Sequence, residues 1–149
     1  MTYKITGKIV GKARPRTNFK TGIIYTPSNT KKYERLIKKY IDTKVNGAIT
    51  IDLECHFSMA KGLSKKKRSE LLGKPCLKKP DIDNITKIYL DALNGVAYED
   101  DKQVYKINCT KIWDNEEYVL LMIKGQNDII NWEVKKCINL KRLTKTHLN

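Results

Sequence analysis

The sequence predicts an α+β domain with a mixed β-sheet flanked by helices, and three patterns predict it. Ile49, Ile51, Leu53, Cys55, Phe57 and Met59 alternate with Thr50, Asp52, Glu54, His56 and Ser58, the period of a long half-buried strand. Tyr33, Leu36, Ile37, Tyr40 and Ile41 recur at helical spacing, and so do Ile85, Ile88, Tyr89, Ala92 and Leu93. A length of 149 residues suits one such domain and falls short of two ordinary ones.

The elements follow in order. Tyr3, Ile5, Gly7 and Ile9 alternate with Lys4, Thr6 and Lys8 as a first strand with one wet face. From Gly11 to Arg16, Pro15 denies a regular helix, leaving a loop or edge segment that carries Lys12, Arg14 and Arg16. Ser28 is placed to cap the first helix, whose stripe leaves Lys31, Lys32, Lys38 and Lys39 mostly outside. Asn46-Gly47 makes the turn into the long strand. Ser64 opens a short helix that runs through Leu72 and stops at Gly73 and Pro75. Pro80 biases Lys79 toward extended backbone, so residues 79–83 read as extended and Asp83 as the cap of the next helix. Asn94-Gly95 closes that helix, with Gly95 suited to the left-handed closing position. Strands near Gln103–Ile112 and Tyr118–Ile123 follow, joined at Asp114-Asn115. The tail from Gly125 carries Ile130, Val134, Cys137 and Ile138 at the spacing of a short basic helix.

Charge narrows the partner. Thirty Lys and Arg against 16 Asp and Glu give a net charge of +14, an asymmetry that points to a polyanion rather than to a surface charged only for solubility. Between Ala60 and Lys79, eight Lys or Arg, among them Lys65, Lys66, Lys67, Arg68, Lys78 and Lys79, face the single acid Glu70. A charge run is often just a solvated face, but this one abuts the most reactive-looking segment of the chain. The longest apolar run, Val119–Ile123, is far below the ~20 residues of a membrane span, and Lys4 and Lys8 interrupt any apolar leader. The expectation is a soluble, cytoplasmic protein with no membrane partner. Cys55, Cys76, Cys109 and Cys137 share no C-x-x-C spacing, which argues against a zinc site. A thiol nucleophile lacks its base, because His56 points away from Cys55 in a strand.

Asp81 and Asp83 stand two apart, so in an extended segment their carboxylates project to the same side and converge on one cation. Hard oxygen ligands of this kind suit Mg²⁺ or Mn²⁺. Lys87 lies one turn beyond Asp83 and Asp91 one turn beyond Lys87, while Asp100 and Asp101 return after a short loop with only one of the two reaching in. Acids and a lysine beside a basic surface are what metal-assisted phosphodiester cleavage requires. The bland alternative is that Asp81 and Asp83 cap a helix and Asp91 pairs with Lys87; the spacing alone does not decide between them.

The strings Lys79-Pro80-Asp81-Ile82-Asp83-Asn84-Ile85-Thr86-Lys87, Asp91-Ala92-Leu93-Asn94-Gly95 and Asp100-Asp101-Lys102-Gln103-Val104 do more. Together with Arg14-Pro15-Arg16 and Tyr25-Thr26-Pro27, they resemble the RusA-type Holliday-junction resolvases of bacteria, phages and prophages. The resemblance covers roughly residues 3–124, giving a domain at 1–124 and leaving 125–149 as a basic extension without a family pattern. It implies a homodimer that cuts branched DNA with Mg²⁺, Mn²⁺ substituting. It further implies that Asp81, Asp83 and Asp101 hold metal and that Lys87 is the catalytic lysine; Asp91, holding Lys87 by an i,i+4 pair, and Asp100, beside Asp101, are given supporting places. Lys12, Arg14, Arg16, Lys65, Lys66, Lys67, Arg68, Lys78 and Lys79 would then meet DNA phosphates, which position a duplex without reading its sequence. Two rivals stand beside this reading: a basic DNA-binding module whose acids are structural, and a branch or flap nuclease of other substrate preference.

Overall fold

In the computed structural model, which describes residues 1–126, the alternating segment forms strand β4 (Ile49–Ser58) at the centre of the molecule. Its odd-numbered side chains, Ile49 through Phe57, are buried on one face. Strands β1 (Thr2–Thr6), β5 (Val104–Asp114) and β6 (Tyr118–Gly125) complete a four-stranded sheet ordered β1-β6-β4-β5. β6 pairs antiparallel with both β1 and β4, whereas β4 and β5 run parallel, so the sheet is mixed as expected. Arg16–Thr17 (β2) and Ile24–Tyr25 (β3) form a separate hairpin.

Parallel strands need a long crossover. Here it carries α2 (Lys65–Leu71) and α3 (Ile82–Leu93) between β4 and β5, while α1 (Ser28–Tyr40) precedes β4. The predicted stripe of α3 (Ile85, Ile88, Tyr89, Ala92, Leu93) is wholly buried and joins Ile37, Ile51, Leu53 and Leu121 in one core. Each such aliphatic side chain contributes about 1.5–3 kcal/mol on leaving water, which makes the α3–sheet contact the main anchor of the helix. Tyr33 of α1 meets Tyr89 of α3 edge-on, with ring centroids 6.2 Å apart and hydroxyls 3.2 Å apart. Burial pushes the Tyr33 phenol up to about 12, so both rings stay neutral and act as a hydrogen-bonded core pair.

Three expectations shift. β1 ends at Thr6 because Gly7 takes φ +113°, so Ile9 is buried from a loop rather than from a strand. Helix α1 begins at Ser28 itself with Pro27 at its cap, and the Ser28 hydroxyl caps nothing. Helix α3 begins two residues earlier than expected, at Ile82 with Asp81 as its cap. By contrast Ser64 caps α2, its hydroxyl accepting the Lys67 N–H at 3.3 Å, and Gly95 closes α3 at φ +74°. Cys55 and Cys76 are buried and Cys109 is half-buried. His56 points to the opposite face from Cys55, stacks on Tyr118 at 4.1 Å and pairs with Asp114 at 2.8 Å. The expected helix at Ile130–Ile138 lies outside the described residues. Among the described residues no helix is long and apolar enough to cross a membrane.

Candidate active site

The early start of α3 decides how the site is laid out. Asp81 occupies the cap position and Asp83 the first turn, so both carboxylates sit at the positive end of a helix that is anchored in the core. The segment before them is pinned from β5, where the Lys111 ammonium donates to the carbonyls of Lys78 and, at 2.7 Å, Pro80. Asp81 and Asp83 then face different hollows. Asp81 lines a cleft of about 710 Å³ together with Lys12, Lys32, Lys78 and Lys79. Asp83 lines a shallower groove with Lys87, Leu90, Ile107 and Cys109, and its carboxylate accepts from the Asn84 amide at 3.3 Å.

Lys87 is two-thirds exposed, and its ammonium lies 3.5 Å from Asp91. Asp91 in turn receives Lys12 at 2.7 Å, and Lys12 also contacts Glu34 of α1 at 2.6 Å. Burial works to lower the Lys12 pKa, but the bonds to Asp91 and Glu34 outweigh it and hold the ammonium charged above its ordinary range. Sequence reasoning placed Lys12 on DNA and missed Glu34 altogether. The structure turns the Lys12 charge inward, where it ties the segment after β1 to both α1 and α3. The signal is faint: Glu34 is the first acid in the chain, alone among the lysines of α1.

The two acids after α3 part company. Asp100 caps the short 3₁₀ turn Asp101–Gln103, accepting the Lys102 N–H at 2.9 Å, while Gln103 accepts the Asp100 N–H at 3.2 Å. That backbone bond, with the Lys102 charge, holds the Asp100 carboxyl below the usual range. Asp101 is exposed and makes no ion pair among the described residues, which leaves it as the available acid of the two. Tyr98, just before them, is buried: its hydroxyl donates to the Leu90 carbonyl at 3.0 Å, and burial raises its pKa with help from the charges of Asp101 and Asp91.

In chemical type the carboxylates of Asp81, Asp83 and Asp101 fit Mg²⁺ or Mn²⁺. Among the described residues, however, no group of three His, Cys, Asp or Glu side chains is arranged to hold a metal ion. The extended Asp81–Asp83 segment expected from the sequence is replaced by a helix start, with Asp81 as cap and Asp83 in the first turn, and the two line different hollows. The basic residues are better placed. Arg14, Arg16, Lys78 and Lys79 are exposed, as are Lys65, Lys66 and Lys67 on α2, a helix that buries none of its residues. Arg68 is half-buried, its guanidinium donating to the Ala60 carbonyl at 2.9 Å.

The sequence model of the family described as endodeoxyribonuclease RusA matches residues 6–124, a span that takes in α1, α2, α3 and the sheet from the end of β1 to β6. The uncharacterized protein YqaN of Bacillus subtilis (strain 168) is similar over 135 residues at 30% identity, covering 82% of this chain and 94% of that protein. With the buried stripe of α3, its acidic start and the mixed sheet all inside the matched span, this chain belongs to the RusA endodeoxyribonuclease family.

Proposed function

We propose that the protein is a Mg²⁺-dependent, structure-selective endodeoxyribonuclease that resolves four-way DNA junctions in recombination and repair. Mn²⁺ substitutes for Mg²⁺, the working form is a homodimer, and the place of action is the bacterial cytoplasm. The observation that carries this reading is the acidic start of α3, Asp81 and Asp83, beside Lys87 on a chain of net charge +14. Asp81, Asp83 and Asp101 would hold the ion, which when bound supplies an acidified water and neutralises charge growing on the phosphate. Lys87 faces the same groove as Asp83 and offers its ammonium to a phosphate oxygen as negative charge develops there. Asp91 and Lys12 hold Lys87 in place from behind. A four-way junction has two-fold symmetry and needs opposed nicks, so a two-fold dimer presents two sites related as the strands are.

Incubation with a synthetic four-way junction, with and without Mg²⁺, tests the reading. Paired nicks that need the metal support it; retention without cutting identifies the rival, a DNA-binding module. Competition with linear duplex and flapped DNA separates a junction resolvase from a nuclease of other preference.

The exposed α2 run yields a further expected result. Each phosphate neutralised by a cation releases counterions, so affinity falls with salt at a slope of about −0.9 per contact on duplex DNA. Replacing Lys65, Lys66, Lys67 and Arg68 by Ala should weaken junction binding and flatten that slope by about two to four units in a filter-binding titration. An unchanged slope would make α2 a solvated face.

A further inference from the structure

The β2–β3 hairpin presents one aromatic ring to solvent with nothing against it. Phe19 is 99% exposed, although Phe is among the side chains most often buried. The tip beneath it is nonetheless well built. The Asn18 carbonyl accepts from Thr21 at 3.2 Å and from Gly22 at 2.8 Å, and the Asn18 side chain accepts the Lys20 N–H at 3.0 Å. Gly22 supplies the left-handed residue at φ +68°, and the Asn18 N–H closes onto the Ile23 carbonyl at 2.9 Å. A four-residue loop of this kind, a tight turn followed by a left-handed glycine, fixes its backbone. The ring therefore stands on an ordered mount and adds nothing to the core.

The chain just before the hairpin is fixed to the candidate active site. A side chain at Gly11 would lie 2.7 Å from the Pro80 ring and 3.0 Å from Asn84, so the backbone there packs directly on the start of α3. The Lys12 N–H donates to the Asn84 carbonyl at 2.8 Å, and its ammonium reaches Asp91. The charge on the hairpin is of one sign. Lys20 lies at the tip and Arg14 and Arg16 at the base of the hairpin, and no acid occurs in the sequence between Met1 and Tyr33. Arg16 also pairs across the hairpin with Tyr25, itself 45% exposed.

An exposed ring on a hairpin whose only charges are cationic fits one partner chemistry, a nucleobase with its flanking phosphates. We propose that Phe19 is a stacking wedge that inserts beside an unstacked base at the branch point of DNA, with Arg14, Arg16 and Lys20 on the neighbouring phosphates. In a linear duplex every base is stacked on both sides, and insertion must break that stacking. At a branch the continuity of the stack is already weakened, so the same insertion costs less there. Phe19 would then be a specificity-determining residue, favouring branched over linear DNA.

This inference rests on the nuclease reading above, and the test separates the two. A four-way junction carrying 2-aminopurine at the crossover is titrated with protein in EDTA, and cleavage is measured separately with Mg²⁺. Wild-type protein should raise the fluorescence as the base leaves its stack. Phe19→Ala should bind with no such rise and cut the intact junction ~10-fold or more slowly, the scale of one lost base–aromatic stack. It should cut normally a junction with unpaired bases at the branch, and Phe19→Trp should restore cleavage where Phe19→Leu does not. Equal fluorescence and equal cleavage by wild type and Phe19→Ala would overturn the wedge and leave the nuclease reading standing. A wild type that neither binds nor cuts branched DNA would overturn both. A drop in solution mass for Phe19→Ala, with DNA behaviour unchanged, would overturn the wedge and assign the tip to contact with a second copy.

Discussion

Protein carrying Asp83→Asn is expected to hold a four-way junction at least as tightly as wild type and to leave it uncut, and Asp81→Asn should do the same. Asn keeps the shape of Asp and loses its charge, so neither variant removes a packing contact. Both positions lie at the start of α3, whose hold on the core comes from Ile85, Ile88, Tyr89, Ala92 and Leu93. The charge matters in two opposed ways. At the positive end of α3 a carboxylate gains about 0.3–1 kcal/mol from the helix, so each substitution costs a little stability. Toward DNA, however, each removes a repulsive charge on a strongly basic protein. Binding and cutting should therefore move apart: gel-shift affinity held or raised, nicking lost under Mg²⁺. Normal nicking by both variants would remove Asp81 and Asp83 from the metal site. Loss of the thermal transition by circular dichroism would instead make them structural caps.

The structure bears out the parts of the fold that follow from pattern alone. The alternation from Ile49 to Phe57 fixes which face of β4 is buried, because a strand has no other way to place those side chains. The α3 stripe is buried residue for residue for the same reason. What the sequence left out depends on partners distant in the chain. Lys12 reads as one more surface cation until Glu34 and Asp91 are seen on either side of it. His56 reads as a lone histidine until β5 and β6 bring Asp114 and Tyr118 to it. The β2–β3 hairpin, two residues to a strand, is too short to show a period. The start of α3 was misplaced by two residues because either aspartate makes a good cap. That small difference matters most, since it sends Asp81 and Asp83 to different hollows.

The second large effect belongs to Lys87. Its ammonium is two-thirds exposed and held at 3.5 Å by Asp91, one turn further along the same helix. An exposed i,i+4 pair of this kind is worth only about 0.3–0.5 kcal/mol to folding, so Lys87→Ala should leave the melting curve nearly unchanged. A cation aimed at a phosphate whose charge grows in the transition state is worth far more, on the order of 10²-fold in turnover. Lys87→Ala should accordingly lower the single-turnover cutting rate by ~10²-fold while junction affinity falls much less. Asp91→Asn separates position from charge. It removes the anchor of both Lys87 and Lys12 but leaves the Lys87 ammonium intact. Its cutting rate should lie between wild type and Lys87→Ala, and its melting temperature should fall, because Lys12 then faces Glu34 alone. If Lys87→Ala cuts at the wild-type rate but melts early, the lysine belongs to a structural ladder with Asp91, and the positive charge at the scissile phosphate must come from another residue.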